Sequence, residues 1–217
     1  MRILASSDLH GARPVYDWLL TIASKHPVDV IVLAGDLLGY PDGFDSPEAA
    51  QQDEARVTVR MLTTAPAPVF YIMGNDDLVE LNSLFGQVQS IHSRGVTRGP
   101  YNFVGYQYAL PFMGGLFEKA DDEIARDLLS LTRLMNDHTV FVSHSPAHGL
   151  LDQGTDGERI GSVAIQKFLD KHPFRAHIHG HCHEEFGRVG NHFNVASARQ
   201  RRAMIIDLDS MEHEIVS

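Results

Sequence analysis

Short apolar runs alternate with polar, glycine-bearing loops along the whole chain. Residues 2–6 form an apolar strand that breaks off at Ser7-Asp8-Leu9-His10-Gly11. Val15, Trp18, Leu19 and Ile22 recur at helical spacing and predict a helix over 14–24, with Pro14 in its first turn. Residues 28–34 are almost continuously apolar, the pattern of a strand buried on both faces, and they end at Gly35-Asp36. Ser46 is placed to cap a second helix over 47–63, opened by Pro47. A third buried strand, 68–73, ends at Gly74-Asn75-Asp76-Asp77. The middle predicts short strands at 88–93, 96–98 and 101–105, read as antiparallel, and a helix over 117–135. Residues 139–142 form another buried strand, followed by Ser143-His144-Ser145. Ser162 caps a helix to Lys171, and closing strands fall at 185–189, 192–195 and 203–208. Helices between buried strands describe an α/β sheet, and such sheets gather ligands at the carboxyl ends of their strands. The additional strands point to a second sheet packed on the first, with helices outside.

The polar residues at those strand ends belong to one kind of chemistry. The stretch RAHIHGHCHEE, residues 175–185, carries His177, His179, His181 and His183 at alternate positions. On a strand, that spacing puts four imidazoles on one face, with Gly180 free to bend between the two pairs. An apolar core has little use for such a face, whereas a metal does. The other strand ends add Asp8, His10, Asp36, Asn75 and His144. Two carboxylates, one amide oxygen and four imidazoles, counting only His181 and His183 from the last loop, suit Mn, Fe or Zn. Seven ligands exceed one tetrahedral site and suit two ions that share a carboxylate. His177 and His179 are read as strand residues or supports, Cys182 as a packing residue facing away from its neighbours, and Asp152, Arg159 and Arg199, Arg201 and Arg202 as solvated positions.

Composition narrows the function class. The chain has 217 residues and a formal net charge of -10, which weighs against a general binder of nucleic acid or anionic membrane. One cysteine excludes an internal disulfide and fits a reducing compartment. Residues 3–5 are too short an apolar run for a targeting segment, and no run approaches transmembrane length, so the expectation is cytoplasmic. No linker or internal repeat appears, and residues 1–217 read as a single domain.

The order Asp8-x-His10, Gly35-Asp36, Gly74-Asn75, His144, Gly180-His181-Cys182-His183 resembles the calcineurin-like metallophosphoesterase superfamily, in particular its small bacterial and archaeal members. The resemblance runs over essentially the whole chain. It implies a four-layer α/β/β/α sandwich of two mixed sheets. It implies that Asp8, His10 and His183 hold one ion, that Asn75, His144 and His181 hold the other, and that Asp36 bridges them. The implied reaction is hydrolysis of a phosphoester, a small molecule or nucleotide, by hydroxide held between two divalent or trivalent ions. One position departs from the family. A histidine that helps protonate the leaving group is replaced by Asp76. A carboxylate is a poor acid for that step, so the expectation is a preference for diesters or activated leaving groups, with His148 as a substitute proton donor. The alternative reading is a protein-binding scaffold on the same fold with little or no catalysis.

Overall fold

The computed structural model describes residues 1–83 and 86–217. In chain order its first half runs β1 (Arg2–Ser6), α1 (Arg13–Lys25), β2 (Val30–Ala34), α2 (Pro47–Leu62), β3 (Val69–Ile72), β4 (Val88–Ser90), β5 (Gly95–Arg98) and β6 (Tyr101–Tyr106). The second half runs α3 (Asp121–Leu128), β7 (Thr139–Ser143), α4 (Val163–Lys171), β8 (Ala176–His179), β9 (Gly187–Val189), β10 (His192–Asn194), β11 (Ala203–Asp207) and β12 (His213–Val216). The described residues form two six-stranded sheets, ordered β12-β11-β1-β2-β3-β4 and β5-β6-β7-β8-β10-β9.

Side-chain alternation along the strands builds the layers. Ile3, Ala5, Val30, Val32, Phe70 and Ile72 of the first sheet face Phe103, Val140, Val142, Ala176, Ile178 and Phe193 of the second. Phe70 and Phe103 meet edge to face across this seam, 5.1 Å between centroids. The opposite faces serve the helices. Leu4, Ile31, Leu33 and Tyr71 pack with Val15, Tyr16 and Leu19 of α1 and Ala55 and Leu62 of α2. Val104, Tyr106 and Phe141 pack with Ile124 and Leu128 of α3 and Ile165 and Phe168 of α4. Three apolar seams separate four layers, and the fold is the α/β/β/α sandwich. Each fully buried Leu, Ile, Val or Phe contributes on the order of 1.5–3 kcal/mol from burial, so the seams dominate stability.

Several details differ from the sequence pattern. Val88–Ser90 joins the first sheet parallel to β3, rather than the antiparallel set. The second sheet is parallel from β6 through β7 and β8 to β10, and only the edge pairs β5–β6 and β10–β9 are antiparallel. The helix expected over 117–135 begins at Asp121, because Lys119 N–H is taken by the Ala109 carbonyl at 2.9 Å and Glu123 closes back on the Ala120 N–H at 3.1 Å. From Leu129 it tightens into a 3-10 helix. His213–Val216 is a strand that the pattern did not show, half of it solvent-exposed polar sequence.

The histidine stretch divides at Gly180. β8 stops at His179, and only His177 and His179 share a strand face. That face looks away from the sheet seam, toward Phe141. His177 Nε2 bonds Ser143 Oγ at 2.8 Å, and its Nδ1 bonds His192 Nδ1 at 3.0 Å. Both rings are fully buried. Burial pushes His177 well below its usual pKa and His179 down to about 3. Above the ordinary histidine value of about 6.5 neither state takes a proton at this position. Below it the unfolded chain binds a proton that the native ring refuses, so stability falls as pH drops from about 6.5 toward 3. In His179→Met the decline of melting temperature between pH 6.5 and 4 is expected to be shallower than in the native chain. Thermal melts across that range check this, and identical slopes would contradict it.

Candidate metal centre

Five loops at the carboxyl ends of β1, β2, β3, β7 and β8 meet at one edge of the sandwich. Backbone bonds continue the sheet into the loops. Asp8 N–H donates to the Gly35 carbonyl at 3.0 Å, His10 N–H to Asp36 at 2.9 Å, and Gly180 N–H to His144 at 3.2 Å. The third loop is tied to the second by Asp77, which is fully buried. Its carboxylate accepts the N–H groups of Gly74, Leu37 and Leu38 at 2.8, 3.0 and 2.8 Å. Burial and the Asp36 charge push Asp77 up to about 7, and these three donors pull the other way.

Two glycines are required by close approach. A side chain on Gly74 would strike the Asp36 carboxylate, and one on Gly35 would strike the His144 ring. Four of the converging residues are themselves held in left-handed backbone: Asp8 (φ 57°), His10 (φ 45°), Asp36 (φ 52°) and His181 (φ 68°). Such positions cost a non-glycine residue of order 1–3 kcal/mol each, and they collect where a site dictates the chain's path.

The side chains resolve into two groups. Asp8, His10 and His183 present ligand atoms within 4.8 Å of one another, and Asp36, His144 and His181 do the same. Asp36 Oδ2 lies 3.3 Å from His144 Nε2 and 3.9 Å from His10 Nε2, so it stands between the groups. Asn75 Oδ1 lies 3.0 Å from His144 Nε2. His183 Nε2 lies 3.0 Å from Asp8 Oδ1. His144 Nδ1 donates to the Ala34 carbonyl at 2.8 Å, which turns Nε2 to the ligand side.

The charges show what the donor set requires. Burial tends to lower His144, yet the Asp36 and Asp8 carboxylates lift it to about 10. Burial tends to raise Asp8 and Asp36, yet the histidines facing them hold both carboxyls below the usual range. Burial carries His181 down to about 4. A buried cluster of two carboxylates therefore calls for positive charge, and imidazole nitrogens with carboxylate and amide oxygens fit a pair of transition-metal ions.

This pattern of residues has a family. The model described as calcineurin-like phosphoesterase matches residues 1–185. The chain belongs to the calcineurin-like phosphoesterase family. Together with the two ligand groups, membership places it among metal-dependent phosphoester hydrolases and supports a dinuclear centre. Solved structures agree on the fold. The chain is similar to TT1561 of Thermus thermophilus, with a TM-score of 0.75 at 18% identity over 99% of this chain and 97% of that one. It is similar to a dimetal phosphatase from Danio rerio, with a TM-score of 0.61 at 12% identity over 100% and 98%. An archaeal phosphodiesterase gives 0.53 at 14% over 100% and 99%. At these identities the likeness concerns the fold alone. A search of the curated proteins finds no match.

Within this phosphoesterase, the departing residue Asp76 faces His10. Its Oδ2 lies 3.0 Å from His10 Nδ1, which leaves Nε2 toward Asp36. Tyr40 O–H reaches the other carboxylate oxygen at 3.0 Å and the Asp76 carbonyl at 2.7 Å, and Gln51 Nε2 donates to the same carbonyl at 2.9 Å. Burial, and the Asp76 charge after it, raise the Tyr40 phenol, so it stays a donor at neutral pH. His148 is placed elsewhere. It does not line the cleft, and its Nδ1 lies 3.6 Å from Asp152. Asp152, read as solvated, is fully buried; it accepts from Gly149 N–H at 2.9 Å and pairs with Arg159 at 2.5 Å. Arg202, also read as solvated, donates to the His183 carbonyl at 2.6 Å and holds that loop. Cys182 is buried with its thiol on the Gln153 carbonyl, as a packing residue should be. Sequence reasoning did not find the parts played by Tyr40, Gln51 or Arg202, which depend on contacts far along the chain.

A carboxylate behind a ligating histidine raises its basicity and fixes its tautomer, and losing such a partner costs about 10–100-fold in metal affinity. Asp76→Asn is expected to weaken metal binding by that factor while the apo melting temperature changes little. Titration calorimetry with Mn and a thermal melt separate the two effects. Unchanged affinity would contradict the assignment.

Proposed function

We propose that the chain is a dinuclear phosphoester hydrolase, with residues 1–217 acting as one domain. In this reading Asp8, His10 and His183 hold one ion, Asn75, His144 and His181 hold the second, and Asp36 bridges them. The observation that carries it is the place of Asp36, within 4 Å of a histidine from each group. Ions bound there supply a water acidic enough to ionise near neutral pH and neutralise charge on phosphoryl oxygens.

The chain's own residues do the rest. The Ala34 carbonyl and the Asp76 carboxylate fix the tautomers of His144 and His10. The five loops and the sheets beneath them close off the floor of the site, where Asp8 is fully buried and Asp36 and Asn75 nearly so. Water adds to phosphorus, the ester oxygen leaves, and that oxygen must gain a proton. Asp76 is turned to His10 and lacks the means to supply it. His148, paired toward Asp152, is not given the task. The leaving group therefore departs with little help. The Asp76 carboxylate also disfavours a dianionic monoester more than a monoanionic diester, so the reading favours diesters and activated leaving groups.

The purified protein is expected to hydrolyse bis-p-nitrophenyl phosphate in the presence of Mn, Fe or Zn, to lose activity to a chelator, and to lose at least about a hundredfold in kcat/KM on Asp36→Asn. Tight metal uptake without turnover of any ester would instead favour a protein-binding scaffold. Asp76→His is expected to raise turnover of an alkyl ester relative to the nitrophenyl ester, and an unchanged ratio would contradict the missing-acid argument.

A further inference from the structure

A cleft of about 550 Å³ opens above the candidate metal centre, floored by His10, Asp36, Asn75, His181 and His183. That volume suits a small molecule. Its walls differ in kind. One is a loop wrapped around the Glu118 carboxylate, which accepts the N–H groups of Phe112, Met113 and Gly114 at 2.8, 2.9 and 2.8 Å. Bound this way, the loop holds Phe112 and Met113 at the cleft with 71% and 63% of their surface exposed. The Phe112 ring meets His181 edge-on at 6.1 Å, so it stands beside the floor. Another part of the lining comes from the loop after Asp152 and from Glu184, and it brings Asp156, Glu158 and Glu184 to the cleft.

Among the described lining residues there is no lysine or arginine. Arg159, next in the chain to Glu158, and Arg202, which reaches the His183 loop, are turned to other partners: Arg159 to Asp152, and Arg202 to the carbonyls of Ala196 and His183. The floor can take the phosphate. Whatever the phosphate carries on its far side then meets a phenyl ring, a thioether and carboxylates. Further phosphates would be repelled there with no basic side chain to receive them. A neutral sugar would hydrogen-bond the carboxylates but bring no charge to balance theirs. A cation would gain from the aromatic ring and from the negative charges.

We propose that the substrate class is a phosphodiester whose esterified alcohol carries an ammonium group, bound with that cation between Phe112 and the Asp156–Glu158–Glu184 wall. The inference rests on the phosphoesterase reading above. Two substrates with one leaving group isolate the charge: p-nitrophenylphosphorylcholine and its uncharged isostere, p-nitrophenyl 3,3-dimethylbutyl phosphate. Hydrolysis of either consumes one water, releases p-nitrophenol and leaves the alkyl monoester. With the full chain loaded with Mn, kcat/KM is expected to favour the choline ester by about tenfold, a gap of the size one desolvated cation–π contact gives. The ratio should fall toward one in Glu158→Gln carrying Asp156→Asn, and also in Phe112→Leu. A merely structural role for these residues would lower both esters together and leave the ratio in place. Turnover of both esters at equal efficiency would overturn this inference alone, as would a preference for a nucleotide ester over the choline ester. Turnover of no ester would overturn the phosphoesterase reading and this inference with it.

Discussion

Two carboxylates, Asp8 and Asp36, are buried side by side, and that is the constraint the rest of the molecule answers. Placing one anion out of water is costly, and placing two together is worse unless positive charge lies between them. The surrounding imidazoles, the bent backbone and the glycines that admit the side chains all follow from that need. Asp36 in particular stands between His10 and His144, a residue of each ligand group, and also accepts the Asp76 N–H at 2.9 Å. The parallel strands matter because they send their carboxyl ends, and therefore these residues, to a common edge. The three apolar seams give that edge a rigid base.

The buried strands were readable because they carry long apolar runs, and the strand-end residues because each run stops abruptly at Asp, Asn or His. Five such stops in series made the site legible from one chain. The histidine stretch was only half legible. Alternation alone would have aligned His181 and His183 with His177 and His179; Gly180 marked where the chain could turn, but not that His181 adopts left-handed backbone. β4 and β12 were missed or misplaced for a different reason. They are short edge strands whose pairing is decided by neighbours in space rather than by their own pattern. Asp152 looked solvated because it sits in a glycine-rich loop, and nothing local shows that Arg159 folds back to pair with it.

Asp76 shows how one substitution can exchange tasks within a fixed frame. Here Asp76 directs its side chain at His10, Tyr40 O–H holds the other carboxyl oxygen, and Gln51 holds the Asp76 carbonyl. In the function proposed above, help for the departing oxygen is traded for a firmer grip on His10. Chemistry that tolerates the trade is chemistry in which departure is easy.

The reach of Arg202 has a consequence for how the chain can be divided. The family pattern spans residues 1–185, yet the carbonyl of His183 is gripped by a guanidinium that lies beyond it, at the threshold of β11, stacked on Phe186 at 4.5 Å. The final hairpin is thus more than a lid for the sheet's edge. Arg202, just ahead of it, braces the loop that carries His183. A cut of the chain near residue 185 would part Arg202 from the loop it steadies.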